Sequence, residues 1–517
     1  MQSWKLKLLP YSLYLFVVMF YWNDFLFQIT PDTISYISIA QHYVDQHYYE
    51  AINAYWSPLV SWIMAIFFHF YSFSPIGKII VFKGLNVLAG LGVLYSFSHI
   101  IDCSVTHFLV RFLAKISSAL WLALWVLTHI TADIIVLLPL LYYVYLIINQ
   151  QLFKQAYTLG LIGGLLFFSK SYCFFVFLLH YHWCFVRQYI LVPNMERKQQ
   201  LLNYLKTMIV FGLTCSIWIA LLSYKYGNLT LSSAGTYNHA MMIDGTLVHR
   251  CFLGAILPLP HQYANFFWED IALTCSYTDW SPLASWQYLK LQLRVIKNNL
   301  YTIKSLSFYL IGLTKLVLFI SLVVVVNIQK KLAFYVKEIG IFLSIYLLGY
   351  ALLEVQDRFL WLLILCTIWL IALYVDKLLS IWGDVLLLKQ KILLVLGWLY
   401  FLNFSTYEQL YQPHWAIDGY EAWQEMSGCS NFVGSNMVAY DTNDKIPWYI
   451  CYYADNRYWG GIKNLMNQPI ELETSLKKYN INYILLPPKV ALPDFLLPTF
   501  KPFCETKQYT VFQRITP

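Results

Sequence analysis

Between residues 31 and 59 the chain reads PDTISYISIAQHYVDQHYYEAINAYWSPL, with the acids Asp32, Asp45 and Glu50, Asp24 just upstream, and no Lys or Arg. A carboxylate held in such a polar segment between apolar stretches can take up a proton, and Asp32 is the strongest candidate. Four more charged side chains stand at the ends of apolar runs: Asp133 in HITADIIVLLPLLYYVY, Lys170 in FFSKSYCFFVFLLHY, and Glu354 and Arg358 in LLEVQDRFLWLL. Charges in such places are costly near lipid and often mark a polar pathway or site. Each also has a plain structural use. Asp32 follows Pro31 and Asp133 opens an apolar run, so either could cap a helix. Lys170 and Arg358 could snorkel from span ends. Glu354 and Arg358 are spaced for an i,i+4 pair on a helix.

The elements that must position these residues are membrane spans. Hydrophobic residues make up 59% of the chain and charged residues 12%, with a mean hydropathy of +0.54; apolar runs near spanning length recur through residue 405. The 42 Tyr and 19 Trp suit aromatic belts at membrane interfaces. About eleven spans are expected, at 7–25, 76–101, 114–130, 133–150, 155–169, 171–190, 206–224, 306–328, 336–353, 358–375 and 388–405. Lys5 and Lys7 before the first run could belong to a signal peptide, but no small-residue cleavage site follows, so a retained span is expected. The net charge of +8 is carried by short loops rather than a nucleic-acid-binding patch.

The segment 57–73 decides the topology. Read as an interfacial helix rather than a span, it leaves Lys5, Lys7, Arg111, Lys115, Lys154, Arg187, Arg197, Lys198, Lys206, Lys330, Lys331, Lys337, Lys377, Lys389 and Lys391 on one side, as the positive-inside rule asks. The outer side then holds the loop 24–75 with its surface helices, Asp32, Asp133, Lys170, the loop 225–305, Glu354, Arg358 and the tail. Were 57–73 a span, Asp32 would face away from the rest. Residues 33–49 read as an amphipathic helix on the outer surface, with Ile34, Ile37, Val44 and Tyr48 near one stripe.

Two units follow: a transmembrane unit at 1–405 and a soluble α/β unit outside the membrane at 406–517. In the tail, MVAYD (437–441), WYICYY (448–453), NYILLPP (482–488) and YTVFQRI (509–515) read as strands, and ELETSLKKYN (471–480) as a helix. The ten Cys show no C-x-x-C pairing; Cys173, Cys215 and Cys366 lie in apolar runs as small core residues. His239, Asp244, His249, His261, Glu269 and Asp270 could hold a metal, but no ligand spacing is diagnostic, and no metal ligand is assigned. The acceptor triplets at Asn228 and Asn403 arise by chance in many chains. No internal repeat or low-complexity segment is evident.

The pattern PDTISYISIAQHY…AINAYWSPL resembles the first outer loop of polytopic glycosyltransferases of the C-type fold, in particular bacterial relatives of the aminoarabinose transferases and protein O-mannosyltransferases. The segments around Asp133, Lys170, Glu354 and Arg358 are similar to later segments of those proteins, and the resemblance covers roughly residues 1–375. It implies transfer of a sugar from a polyprenyl-phosphate donor to a glycan, lipid or protein acceptor at the outer face of the inner (plasma) membrane, with inversion. Asp32 would be the general base. Asp133, Lys170, Glu354, Arg358 and Trp56 would bind substrate, with Arg358 and Lys170 opposing charge on the leaving phosphate. Many relatives carry a second acid where Thr33 stands here, so a divalent cation could bind but is not demanded. Phe359 stands where Tyr is common. The alternatives are a transporter or flippase of lipid-linked sugars, which would favour charges within spans and repeated halves, a glycan polymerase or ligase, and a non-catalytic scaffold.

Overall fold

The computed structural model describes residues 4–191, 194–244, 256–275, 280–311, 330–382, 398, 417–427, 434–440 and 445–515. Twelve helices carry the argument: α1 (Trp4–Phe20), α2 (Pro31–Val44), α3 (Pro58–Phe70), α4 (Pro75–Ser104), α5 (Phe108–Thr128), α6 (Asp133–Ile148), α7 (Ala156–Ser169), α8 (Cys173–Leu191), α9 (Asn194–Tyr226), α10 (Trp286–Ile311), α11 (Lys330–Leu352) and α12 (Trp361–Trp382). Among the described residues, five helical stretches are long and apolar enough to cross a membrane: Pro75–Ser104, Phe108–Thr128, Arg197–Tyr226, Phe334–Leu352 and Asp357–Ser380. Lys7–Phe20, Pro58–Phe70, Asp133–Ile148 and Ala156–Ser169 are apolar but shorter. The expected span 388–405 lies outside the described residues save Trp398, as does 306–328 beyond Ile311. α10 starts at Trp286, so a helix occupies the end of what reads as an outer loop.

α3 has 13 residues, a length of about 20 Å at 1.5 Å per residue, well short of a hydrocarbon core of about 30 Å. α2 is another matter. The side chains of Thr30 and Thr33 cap it reciprocally and Pro31 takes its first position, a favoured helix start. Its buried residues include Thr33, Ile34, Ser35, Tyr36, Ile37, Ser38, Ile39, Ala40 and His42, so it is enclosed all round instead of lying on a surface. α3 and the segment 266–270 cover it, tied by Ser61 Oγ donating to Tyr36 O at 3.0 Å and Ser35 Oγ to Trp268 O at 3.2 Å.

The bundle is fixed by close approaches and buried polar ties. α7 lies against α9 through Gly160, where a Cβ would stand 2.7 Å from Thr207 O and 2.7 Å from Val210 Cβ. The Lys83 ammonium, fully buried in α4, donates to Phe25 O and, at 3.3 Å, to Leu127 O. It thereby joins the start of the first loop to the end of α5 and satisfies carbonyls left open there. Cys173, Cys215 and Cys366 are buried free thiols, as the apolar context implies, whereas Cys275 and Cys504 are disulfide-bonded.

The tail forms a five-stranded sheet of order β2-β1-β3-β5-β4: β1 (Asn436–Ala439), β2 (Arg457–Gly461), β3 (Tyr483–Leu486), β4 (Phe500–Glu505) and β5 (Thr510–Arg514). β1 runs parallel to β2 and β3, while β5 is antiparallel to β3 and β4. A helix at Pro469–Lys478 precedes β3 as expected. WYICYY is not a strand: Ile446–Tyr453 is a helix with Pro447 in its first turn. Its Trp448, Tyr449, Ile450, Cys451 and Tyr453 are all buried, and a short apolar run enclosed on every side carries no period to separate strand from helix. Tyr452 donates to Pro75 O at 2.8 Å and Tyr420 stacks on Phe27 at 3.5 Å. Bridges Ile256↔Gly460 and Phe266↔Tyr458 attach the loop after α9 to the β2 edge. The sheet unit therefore rests on the same end of the bundle as α2.

Candidate active site

Four chain segments bring their charges to one place. Asp32 is the second residue of α2, Asp133 the first of α6, Lys170 follows α7, and Arg358 lies in a helical turn at Asp357–Leu360 that leads into α12. The Arg358 guanidinium divides its fork. One terminal nitrogen donates to Asp32 Oδ2 at 2.9 Å, the other lies 3.5 Å from Asp133 Oδ2, and Nε donates to Gln356 Oε1 at 2.7 Å. Lys170 Nζ donates to Asp133 Oδ1 at 2.5 Å and sits 4.0 Å above the Phe359 ring. The single negative charge of Asp133 is thus shared between Arg358 and Lys170, in surroundings where ionic hydrogen bonds are strong.

None of the plain structural uses accounts for these residues. Thr30, not Asp32, caps α2, and Asp133 makes no capping bond. Its carboxylate instead accepts from Thr131 Oγ1 at 3.0 Å. Lys170 is bent into an ion pair and onto a ring, so it does not snorkel. Glu354 and Arg358 do not pair directly: residues 353–356 are not helical, and Gln356 bridges the two, its Nε2 donating to Glu354 Oε1 at 2.5 Å. Burial raises the Glu354 carboxyl above the ordinary glutamate value, with the Gln356 hydrogen bond and Arg358 opposing in part.

All six expected residues line one cavity of about 1610 Å³. Trp56 contributes by packing, since its indole Nε1 is spent on Trp268 O at 3.1 Å. Sequence reasoning missed Trp268, whose Nε1 points at Asp32 Oδ1 from 3.5 Å, and Gln356, which orients the Arg358 fork. It also missed His129, 3.5 Å from Asp357. Thr33 Oγ1 donates to Ile130 O at 2.7 Å, so the position after Asp32 ties α2 to the turn carrying Asp133. One wall is polar; the other, between α8 and α11, is apolar and includes the exposed side chains of Phe175, Leu179 and Leu348.

No protein-family model matches the chain, and no curated protein matches it. Solved structures do. ArnT from Cupriavidus metallidurans bound to undecaprenyl phosphate superposes with a TM-score of 0.58 at 9% identity, over 99% of this chain and 98% of that one. The apo state of ArnT gives 0.56 at 10% identity, over 98% and 97%. The chain has the C-type glycosyltransferase fold. The archaeal oligosaccharyltransferase AglB from Archaeoglobus fulgidus, in complex with an inhibitory peptide and a dolichol-phosphate, is more distant. It gives a TM-score of 0.51 at 12% identity, over 94% of this chain and 70% of that chain. At these identities the C-type likeness is one of fold, and the chemistry rests on this chain's own residues.

Proposed function

We propose that the protein transfers a sugar from a polyprenyl-phosphate donor to an acceptor hydroxyl, with Asp32 as general base. The observation that carries this reading is the meeting of Asp32, Asp133, Lys170 and Arg358 in one cavity that has an apolar, outward-facing wall. Asp32 Oδ takes the proton of the acceptor hydroxyl. The hydroxyl oxygen attacks the anomeric carbon, and the bond to the carrier phosphate breaks with its electrons on phosphate. A single displacement of this kind inverts the anomeric centre. Charge gathering on the leaving phosphate is opposed by Lys170 and Arg358. Among the described residues Lys170 Nζ makes one hydrogen bond, to Asp133, which leaves donor capacity for a phosphate oxygen. Arg358 already serves Asp32, Asp133 and Gln356, so it both aims the base and adds positive field. The isoprenoid chain would lie along Phe175, Leu179 and Leu348. The volume exceeds that of a usual single-ligand pocket of about 300–1,000 Å³, which suits a site taking donor and acceptor together.

The bonded thiols of Cys275 and Cys504 support an outer, oxidising face for the loop before α10 and for the tail. On this reading the site would work at the outer surface of the plasma membrane. A divalent cation is not needed for the charge balance drawn here. The charged residues of the site sit at helix ends rather than within helices, which favours an enzyme over a transporter. The test is release of free polyprenyl phosphate from lipid-linked sugars by the purified protein. Release that depends on both an acceptor and Asp32 supports the reading, and release unaffected by Asp32→Asn contradicts it.

A further inference from the structure

A second cluster lies at the other end of α2. His42 Nε2 stands 2.9 Å from Glu269 Oε2, and the ligand-type atoms of His42, His261 and Glu269 all fall within 4.8 Å of one another. His42 and Glu269 are buried, 4% and 1% exposed. The two imidazole rings meet edge-on at 4.9 Å. His261 Nδ1 is buried and has no hydrogen-bond partner, so one ring nitrogen is unspent. The other carboxylate oxygen of Glu269 accepts the Asn265 N–H at 2.7 Å, an outer hydrogen bond of the kind that fixes a metal ligand.

We propose that His42, His261 and Glu269 bind a Zn²⁺ ion. Two imidazoles and one carboxylate form a known three-ligand set for zinc, with bonds of about 2.0–2.2 Å and water in the fourth position. Tetrahedral geometry at those lengths separates ligand atoms by roughly 3.3 Å, close to the 2.9 Å already found between His42 and Glu269. Only His261, the most exposed of the three, has to move inward. Two imidazole nitrogens among the three donors argue against calcium and magnesium, which take oxygen ligands.

The ion would fasten the segment 261–269 onto α2. That segment carries Trp268, whose carbonyl holds Ser35 and Trp56 and whose indole faces Asp32; at its far side Phe266 bridges to the sheet unit. Zinc is therefore a structural pin between the first loop, the second loop and the tail, apart from the proton-taking site. The sequence offered His261 and Glu269 among its possible metal ligands but not His42, which lies on α2 more than 200 residues away.

The test uses the tag-free full-length protein in detergent, stripped with chelator and titrated with Zn²⁺ while bound metal and thermal stability are followed. The parent should take up one equivalent and gain stability. His261→Ala, which leaves the buried His42–Glu269 pair in place, should lose about 100-fold or more in affinity, a larger effect than the 10–100-fold known for outer-shell changes. It should also keep the melting temperature of the stripped parent. Asp32→Asn should bind zinc as the parent does. The proposal is overturned if the parent takes up no zinc, if His261→Ala binds as tightly as the parent, or if Asp32→Asn abolishes binding, which would place the ion at the acidic site instead.

Discussion

Asp32 sits at the second position of α2 while Thr30 does the capping, and this separates its chemistry from its structural role. Removing its charge forfeits a favourable interaction with the helix N-terminus of about 0.3–1 kcal/mol and its half of the Arg358 pair, but Asp133 still faces that guanidinium and an Asn amide oxygen can still accept from it. Arg358 is different, because two carboxylates lean on one guanidinium. Arg358→Gln leaves Asp32 and Asp133 short of their shared cation, and losing one partner of a buried pair costs about 3–5 kcal/mol. Arg358→Lys keeps the charge and loses the fork, so it should hold a measurable fraction of activity where Arg358→Gln holds almost none; donor turnover by Arg358→Gln at the parent's rate would refute the phosphate role. Glu354 offers a pH test. Burial raises its carboxyl above the ordinary glutamate value, so the folded state holds this proton more tightly than the unfolded chain. That contribution is fully present below the unfolded value and is lost as pH rises through the folded one. Glu354→Gln should therefore gain melting temperature over the parent toward neutral pH, with the gap closing near pH 4. A gap that does not change with pH would show that Glu354 is not buried as described.

At the scale of elements, local sequence signals and tertiary enclosure divide the chain between them. The long apolar runs that became α4, α5, α9, α11 and α12 were legible because a span is written in one continuous stretch. The charges of the candidate site were legible in the same way, since Asp133, Lys170 and Arg358 stand at the ends of such runs. What joins them was not legible. The Trp268 indole and the buried Lys83 tie depend on segments distant in sequence, and the Gln356 bridge depends on the chain leaving the helix at 353–356. α2 was read as a helix but as one lying on a surface, and the helix at Ile446–Tyr453 is so largely buried that no periodicity identifies it. The α7–α9 contact is a further case, visible only once Gly160 is seen against the Thr207 carbonyl. Gly160→Ala should destabilise the bundle by about 1–3 kcal/mol, the usual cost of overpacking. Thermal unfolding in detergent measures this. An unchanged melting temperature would mean that the two helices are not held this closely.

For the whole molecule the first question is which way it faces. Short loops rich in Lys and Arg alternate with acidic ones only if α3 does not span. Exposed cysteines placed at Asp45 and Ile470 should be labelled by an impermeant reagent from outside. Cys103, a natural exposed free thiol near Arg111 and Lys115, should react only from inside; labelling of all three from one side would overturn the topology. The bundle, the second loop and the sheet unit line one cavity, whose apolar wall runs along α8 and α11. The account as a whole rests on Asp32 acting as a base within it. The most direct measurement compares Asp32→Asn with the parent in a single turnover of a bound undecaprenyl-phosphate sugar, with donor binding followed in the same preparation. Donor affinity should stay within about threefold, since binding rests on Lys170, Arg358 and the apolar wall, while the transfer rate should fall by about 10²–10⁴-fold, the range expected for loss of a general base. A folded Asp32→Asn variant that binds donor and transfers sugar within about tenfold of the parent, well inside that range, would contradict the account.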